Sequence, residues 1–121
     1  MNGRARLVGG VVIAAAVAAV SSVAFGAGSV SGTQITSVNV NVDGTVLIAL
    51  GNPTANKPAC ALDNERMAFQ ATTDGGKALL NAVVAANLSG KTVSITGTGT
   101  CLAVTTLGGS QLEKVSNLYF Y

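Results

Sequence analysis

Histidine and tryptophan are absent from this chain of 121 residues, and only 10% of its residues are charged. Without histidine, the chain lacks the side chain that most often transfers protons near neutral pH. The carboxylates beyond the N-terminal segment are scattered rather than paired, at Asp43, Asp63, Glu65, Asp74 and Glu113. The sequence also has no G-x-S-x-G motif that would present a serine nucleophile. We therefore expect no catalytic residues and no enzymatic activity.

Metal and phosphate sites also lack the residues they need. Two cysteines without histidine do not make a zinc ligand set. Gly97-Thr98-Gly99 has the glycines of a phosphate loop but lacks the lysine, the spacing and the following helix. We expect a bend or bulge there, no metal and no cofactor.

The charge balance excludes two classes of partner. The net charge of +2 comes from Arg4 and Arg6, because the rest of the chain carries five basic and five acidic residues. A neutral domain with scattered charges has no electrostatic footprint for nucleic acid or for an anionic membrane.

The N-terminal segment has the layout of a secretory signal peptide. Arg4 and Arg6 precede an uncharged run over residues 7–20, and small residues follow. We expect a signal peptide over residues 1–24, cleaved after Ala24, with Gly26 or Ala27 as alternative positions. A retained anchor is the competing interpretation, since a bilayer is spanned by about 20 apolar residues. Export would place the mature protein in the periplasm or outside the cell, with no membrane contact after signal removal.

The two cysteines fit an exported domain. A mature chain of somewhat under about 100 residues buries a modest fraction of its surface and is marginally stable alone. In an oxidising compartment, an even pair of cysteines in a small domain usually forms a disulfide. We expect a Cys60–Cys101 bond; two free buried thiols are the alternative.

The mature chain divides into a flexible leader, residues 25–33, and one disulfide-closed domain, residues 34–121. Val38, Val40 and Val42 alternate with polar residues, which predicts a half-buried strand. Asp43-Gly44 supplies a hairpin turn into a second strand over residues 45–50.

A helix between strands forms the centre of the domain. Thr72-Thr73-Asp74 offers N-cap oxygens and Gly90 a left-handed C-cap, which predicts a helix over about residues 74–89. Its apolar face contains Leu79, Leu80, Val83, Val84, Ala86 and Leu88. Strands are expected at residues 66–70 and 91–96, with a bulge at 97–100. The fold class is α+β: a small antiparallel sheet that curls into a partly open barrel with one helix.

The central sequence RMAFQATTDGGKALLNAVVAANLSGKTVSITGTGTC resembles small exported bacterial proteins of unknown function. The shared features are the cysteine-strand-helix-strand-cysteine order, GKALL at the helix start, and GKTV followed by GTGTC. The pattern is more distantly similar to the B subunits of pentameric bacterial toxins of the subtilase-cytotoxin and pertussis type. This resemblance implies an OB-like barrel, a ring-shaped homo-oligomer and glycan binding.

Two tyrosines near the end of the chain are the candidate contact residues. On a terminal strand, Tyr119 and Tyr121 face away from Leu118 and Phe120. Tyrosines two residues apart can stack on a sugar ring or contact a protein partner. A second packing layer or a subunit contact is the structural alternative, and the lack of tryptophan disfavours carbohydrate.

These observations favour an exported, non-enzymatic binding or interaction module, with an unknown protein or glycan partner and a homo-oligomeric state. The alternative is a structural envelope or surface protein that needs no soluble ligand. A hydrolase is the least favoured hypothesis.

Overall fold

The computed structural model describes residues 26–121. The elements in chain order are β1 (Ser29–Thr33), β2 (Ile35–Val40), β3 (Thr45–Leu50), β4 (Arg66–Gln70), α1 (Asp74–Ser89), β5 (Val93–Ala103), a 3-10 turn (Thr105–Leu107) and β6 (Gln111–Phe120). The predicted signal peptide, residues 1–24, lies outside the described residues. In the described part of the chain, no helix has the length and apolar character needed to span a bilayer.

The six strands form one mixed sheet in the order β1-β5-β6-β4-β3-β2. The predicted α+β class is confirmed, but the prediction of an antiparallel sheet is wrong at one pair: β4 and β6 are parallel, with Ala68 opposite Lys114. The reason is topological. After β4 the chain passes through α1 and then runs back along β5, which is antiparallel to β6. It therefore reaches the end of the sheet where β4 began, and β6 starts there and runs parallel to β4.

Strand β1 lies in the segment that sequence analysis assigned to a flexible leader. It pairs with β5, Val30 opposite Ile95, and its last residue Thr33 is buried. Gln34 alone separates β1 from β2, although these two strands are the outermost in the sheet order. The Gln34 carbonyl accepts a hydrogen bond from the Gly51 N–H at 2.8 Å. Residues 29–33 therefore belong to the folded sheet.

The β2–β3 hairpin turns where the sequence predicted it. The Gly44 N–H donates to the Asn41 carbonyl, and Gly44 adopts φ of 89°, which glycine tolerates. Hydrogen bonds from Thr45 to the Asp43 carboxylate lower the Asp43 pKa below its ordinary value of 3.8. The expected burial is wrong for two of the three valines: Val40 is 56% exposed, and the turn that begins at Asn41 places Val42 at its exposed tip.

Helix α1 begins and ends at the predicted caps. The Thr73 hydroxyl accepts a hydrogen bond from the Gly76 N–H, and Gly90 ends the helix with φ of 67°. The apolar face is narrower than predicted, however. Val83 and Ala86 are buried, whereas Leu88 is 80% exposed. The helix therefore packs on the sheet along one stripe, and Leu88 lies outside that stripe.

Apolar side chains pack on both faces of the sheet. The main cluster lies between the sheet and α1; its buried members are Ile35, Val46, Ile48, Leu50, Met67, Phe69, Val83, Ala86, Val93, Ile95 and Val115. On the other face, Ala68, Val104 and Leu112 form a smaller cluster that Leu47, Leu102 and Leu107 extend. The opposite orientations of Ala68 and its neighbour Phe69 follow from strand alternation. The connection between β5 and β6 covers this second face.

The predicted Cys60–Cys101 disulfide is present, with the two Cα atoms 6.2 Å apart and 41 residues apart in sequence. Cys60 lies in the connection between β3 and β4, and Cys101 lies in β5. The bond therefore encloses β4, α1 and most of β5 in one covalent ring.

Replacing both cysteines, C60S/C101S, should lower the free energy of unfolding by up to about 4 kcal/mol, because the ring restricts the unfolded chain. Urea titration of the oxidised protein, the reduced protein and the double variant measures this loss. Reduction should reproduce the double variant. An unfolding free energy that is unchanged by reduction would contradict a stabilising role for the bond.

Two adjacent helix glycines should respond oppositely to alanine. A Cβ at Gly75 would meet no atom within 4 Å, whereas a Cβ at Gly76 would overlap the Gln70 carbonyl oxygen. We expect G75A to stabilise the protein by up to about 1 kcal/mol, since alanine favours helix. We expect G76A to destabilise it, because α1 must move away from β4. Thermal melts of the two variants measure both effects, and equal shifts would contradict the close approach.

Candidate functional site

The two tyrosines lie on the outer face of the β5–β6 pair. Tyr119 is opposite Ser94, and Leu118 is opposite Ile95. Residues opposite each other in an antiparallel pair project to the same side of the sheet. Ile95 is fully buried in the main core, so Leu118 projects inward and Tyr119 projects outward with Ser94.

Both tyrosine rings are accessible, and one is held in place. Tyr119 is 62% exposed and Tyr121 is 67% exposed. The Tyr121 hydroxyl forms a hydrogen bond of 2.6 Å with the Ser94 hydroxyl, which links the end of the chain to β5. The structure therefore brings the two predicted contact residues together on one surface.

The residues around the tyrosines are polar and uncharged. In the strand register, Thr96 is opposite Asn117 and also opposite Ser29 of β1. We call this outward set the tyrosine face; it comprises Ser29, Ser94, Thr96, Asn117, Tyr119 and Tyr121. Its groups are hydroxyls, one amide and two aromatic rings. Such a surface can donate and accept hydrogen bonds and offer ring planes for stacking, without attracting either sign of charge.

A concave surface lies elsewhere, between the start of α1 and β6. It is an open groove of about 640 Å³, and its lining includes Thr73, Gly75, Lys114 and Ser116. A helix N-terminus beside a lysine attracts anions in general. Here the Thr73 hydroxyl already accepts the Gly76 N–H, and Lys114 is partly exposed to solvent. The groove therefore offers an anion weak, solvent-screened attraction.

Glu113 is a buried polar residue that sequence analysis missed. It is 2% exposed, and its Oε2 accepts hydrogen bonds from the N–H groups of Gly28 at 2.8 Å and Gly99 at 3.0 Å. Its Oε1 is buried and has no hydrogen-bond partner within residues 26–121. A Cβ on Gly97 would overlap the carboxylate. A Cβ on Gly28 would also overlap it, so these two glycines leave the space that the side chain occupies.

A bulge in β5 explains the position of Glu113. Gly97 is opposite Val115 and Cys101 is opposite Glu113, so three residues of β5 face the single residue Lys114. The predicted bulge at residues 97–100 is thus confirmed. The sequence did contain a signal, an acidic residue in a partly apolar strand and a glycine-rich partner strand. Nothing local to Glu113 shows that the two strands pair.

The disulfide is close to this bulge in the strand register. Cys101 is the residue directly opposite Glu113. Cys60 is exposed and Cys101 is partly buried. The disulfide therefore ties the end of the bulge to the connection between β3 and β4.

Comparison with known proteins gives no assignment. No family model matches the chain, and no curated protein matches it.

Replacing Glu113 should destabilise the domain strongly. E113A leaves the buried Gly28 N–H and the partly buried Gly99 N–H without their acceptor and opens a cavity, so we expect a loss of about 2 kcal/mol or more. E65A is the matched control, because Glu65 is exposed and its substitution should change stability by less than about 0.5 kcal/mol. Chemical denaturation measures both variants. Similar stabilities of E113A and E65A would contradict the structural role of Glu113.

Proposed function

We propose that this protein is an exported, non-enzymatic module that binds a neutral glycan through the tyrosine face. The observation that carries the proposal is the pair of exposed tyrosines on an uncharged strand face, with the Tyr121 hydroxyl held by Ser94. An aromatic ring offers a flat apolar surface with a polar edge, which suits the apolar face of a sugar ring. Neighbouring hydroxyl and amide groups can pair with sugar hydroxyls.

The composition of the face favours a glycan over other partners. A charged ligand would find no opposite charge at the outward positions of the tyrosine face. The fully buried centre of a protein–protein contact is usually more apolar than the surrounding surface. The outward neighbours of the tyrosines are instead Ser94, Thr96 and Asn117, which are small and polar.

We further propose that the sheet curls into an OB-like barrel. Three features support this: β1 and β2 are separated by Gln34 alone although they are outermost in the sheet order, β4 and β6 are parallel, and α1 connects β4 to β5. The resemblance to small exported bacterial proteins and to toxin B subunits belongs to the same proposal, and a ring of identical subunits would present several tyrosine faces together.

Export is the remaining part of the proposal. The Cys60–Cys101 disulfide supports it, because such bonds persist in the periplasm and outside the cell. The signal-like pattern of residues 1–24 supports it independently. No enzymatic role is assigned to any residue.

A glycan array probed with the mature protein tests the proposal. Any glycan that binds should lose affinity by about tenfold or more in Y119A and in Y121A, because truncating a central aromatic contact typically costs over 1 kcal/mol. S94A should weaken binding less, since it releases the Tyr121 ring but leaves it present. L62A is the matched control, because Leu62 is an exposed large apolar side chain whose N–H bonds to Gln111 at the start of β6, the opposite end of that strand from the tyrosines.

Light scattering of the same variants separates glycan binding from self-association. Binding lost in the tyrosine variants at an unchanged oligomeric state supports the proposal. A silent array, or tyrosine variants that dissociate an oligomer without affecting any glycan, would contradict it and assign the face to a subunit contact.

A further inference from the structure

Glu113 is a buried ionisable residue that takes no part in the proposed glycan binding. Its carboxylate is 2% exposed, and both of its hydrogen bonds converge on Oε2. Oε1 is left without a partner among residues 26–121. Burying a carboxylate with an incomplete set of partners is costly unless a positive charge lies close to it.

No described side chain provides that charge. Within residues 26–121, the ion pair found is Arg66 with Asp63, at 2.7 Å. The Lys57 ammonium group donates to the Ala61 carbonyl at 3.1 Å. Lys114 follows Glu113 in β6 and lines the groove beside α1. The Glu113 carboxylate is therefore left without a cationic side chain among the described residues.

The main chain of residues 26–28 passes directly beside this carboxylate. The Gly28 N–H donates to Glu113, and a Cβ at Gly28 would overlap Oε1. An ideal Cβ at Gly99 would lie 3.7 Å from the Ala27 nitrogen and 3.3 Å from the Gly26 oxygen. Gly99 is itself the second donor to Glu113. The Ala27 nitrogen thus lies beside Gly28 and Gly99, the two residues whose N–H groups donate to the carboxylate.

We propose that the chain is cleaved between Gly26 and Ala27, and that the new α-ammonium group of Ala27 is the counter-ion of Glu113. Hydrolysis by a signal-type endopeptidase consumes one water. It leaves a carboxylate on Gly26 of the released segment and an amine on Ala27, which takes up a proton from solvent near neutral pH. Ala24 and Gly26 provide the small residues at the third and first positions before the cut that such peptidases require.

The other two cleavage positions are disfavoured on separate grounds. Cleavage after Ala24 would leave Phe25 and Gly26 between the amine and Ala27. Cleavage after Ala27 would put the new amine on Gly28, whose nitrogen already donates to Glu113 at 2.8 Å, but it would place the bulky Phe25 at the third position before the cut, against the small-residue rule. Cleavage after Gly26 keeps the Gly28 N–H bond to Glu113 and adds a positive charge one residue away. The position of the carboxylate disfavours the cut after Ala24, and the small-residue rule disfavours the cut after Ala27, which leaves the cut after Gly26.

The first test is the N-terminal sequence of the processed protein. The full chain is expressed in a bacterial host that exports it, and the purified product is sequenced and weighed. We expect Ala27 as the first residue. Phe25, or any other first residue, would overturn the proposal.

The second test measures the charge pair directly. Acetylating the α-amine of the processed protein at mildly acidic pH, where lysines react slowly, should lower the melting temperature by about 4 °C or more. The same treatment should leave the melting temperature of E113Q unchanged. E65Q is the matched control and should show the full decrease. Equal decreases in E113Q and E65Q would overturn the proposal.

If E113Q does not fold, the acetylated wild-type protein decides the question, since an unchanged melting temperature would overturn the pairing. Both tests are read without any glycan. Their failure would leave the binding function of the tyrosine face untouched, and the failure of the glycan array would leave the charge pair untouched.

Discussion

The Glu113 carboxylate joins three segments that are far apart in the sequence. Its two hydrogen bonds connect β6 to Gly28, which immediately precedes β1, and to Gly99 in the bulge of β5. Because this hydrogen bond holds Gly28 in place, β1 lies along β5, where Val30 packs against the main core. The disulfide reinforces the same place, because Cys101 is opposite Glu113. The carboxylate thus fixes where β1 pairs along β5, and the disulfide holds the adjacent end of the β5 bulge. Contacts between neighbours in the sequence could not do this.

Elements with strong local signals could be predicted from the sequence. The hairpin at Asp43-Gly44 depends on residues within one turn, and α1 on caps at Thr73 and Gly90 that lie at its own ends. The Cys60–Cys101 bond could be predicted because a single pairing exists. In each case, the deciding residues are either neighbours in the sequence or the sole candidates.

Features that depend on distant pairing could not be predicted in this way. Strand β1 has the sequence SVSGT, whose small polar residues resemble a loop until β5 is beside it. The parallel β4–β6 pair depends on the path of the intervening chain. Glu113 is unremarkable in sequence because its partners, Gly28 and Gly99, are 85 and 14 residues away. The candidate contact tyrosines were identifiable, whereas their hydroxyl-rich surroundings on β1 and β5 depended on the register.

The register of β6 also explains why the tyrosine side chains are exposed. Strict alternation from the inward Leu118 would turn Val115 outward, yet Val115 is 7% exposed and belongs to the main core. The pairs Thr96 with Asn117 and Gly97 with Val115 leave Ser116 as an extra residue in β6, which resets the alternation. Val115 and Leu118 therefore both project inward, and Tyr119 remains outward with Ser94. Burial of the core and exposure of the tyrosine face are two consequences of one inserted residue, since a shift of one position would reverse both.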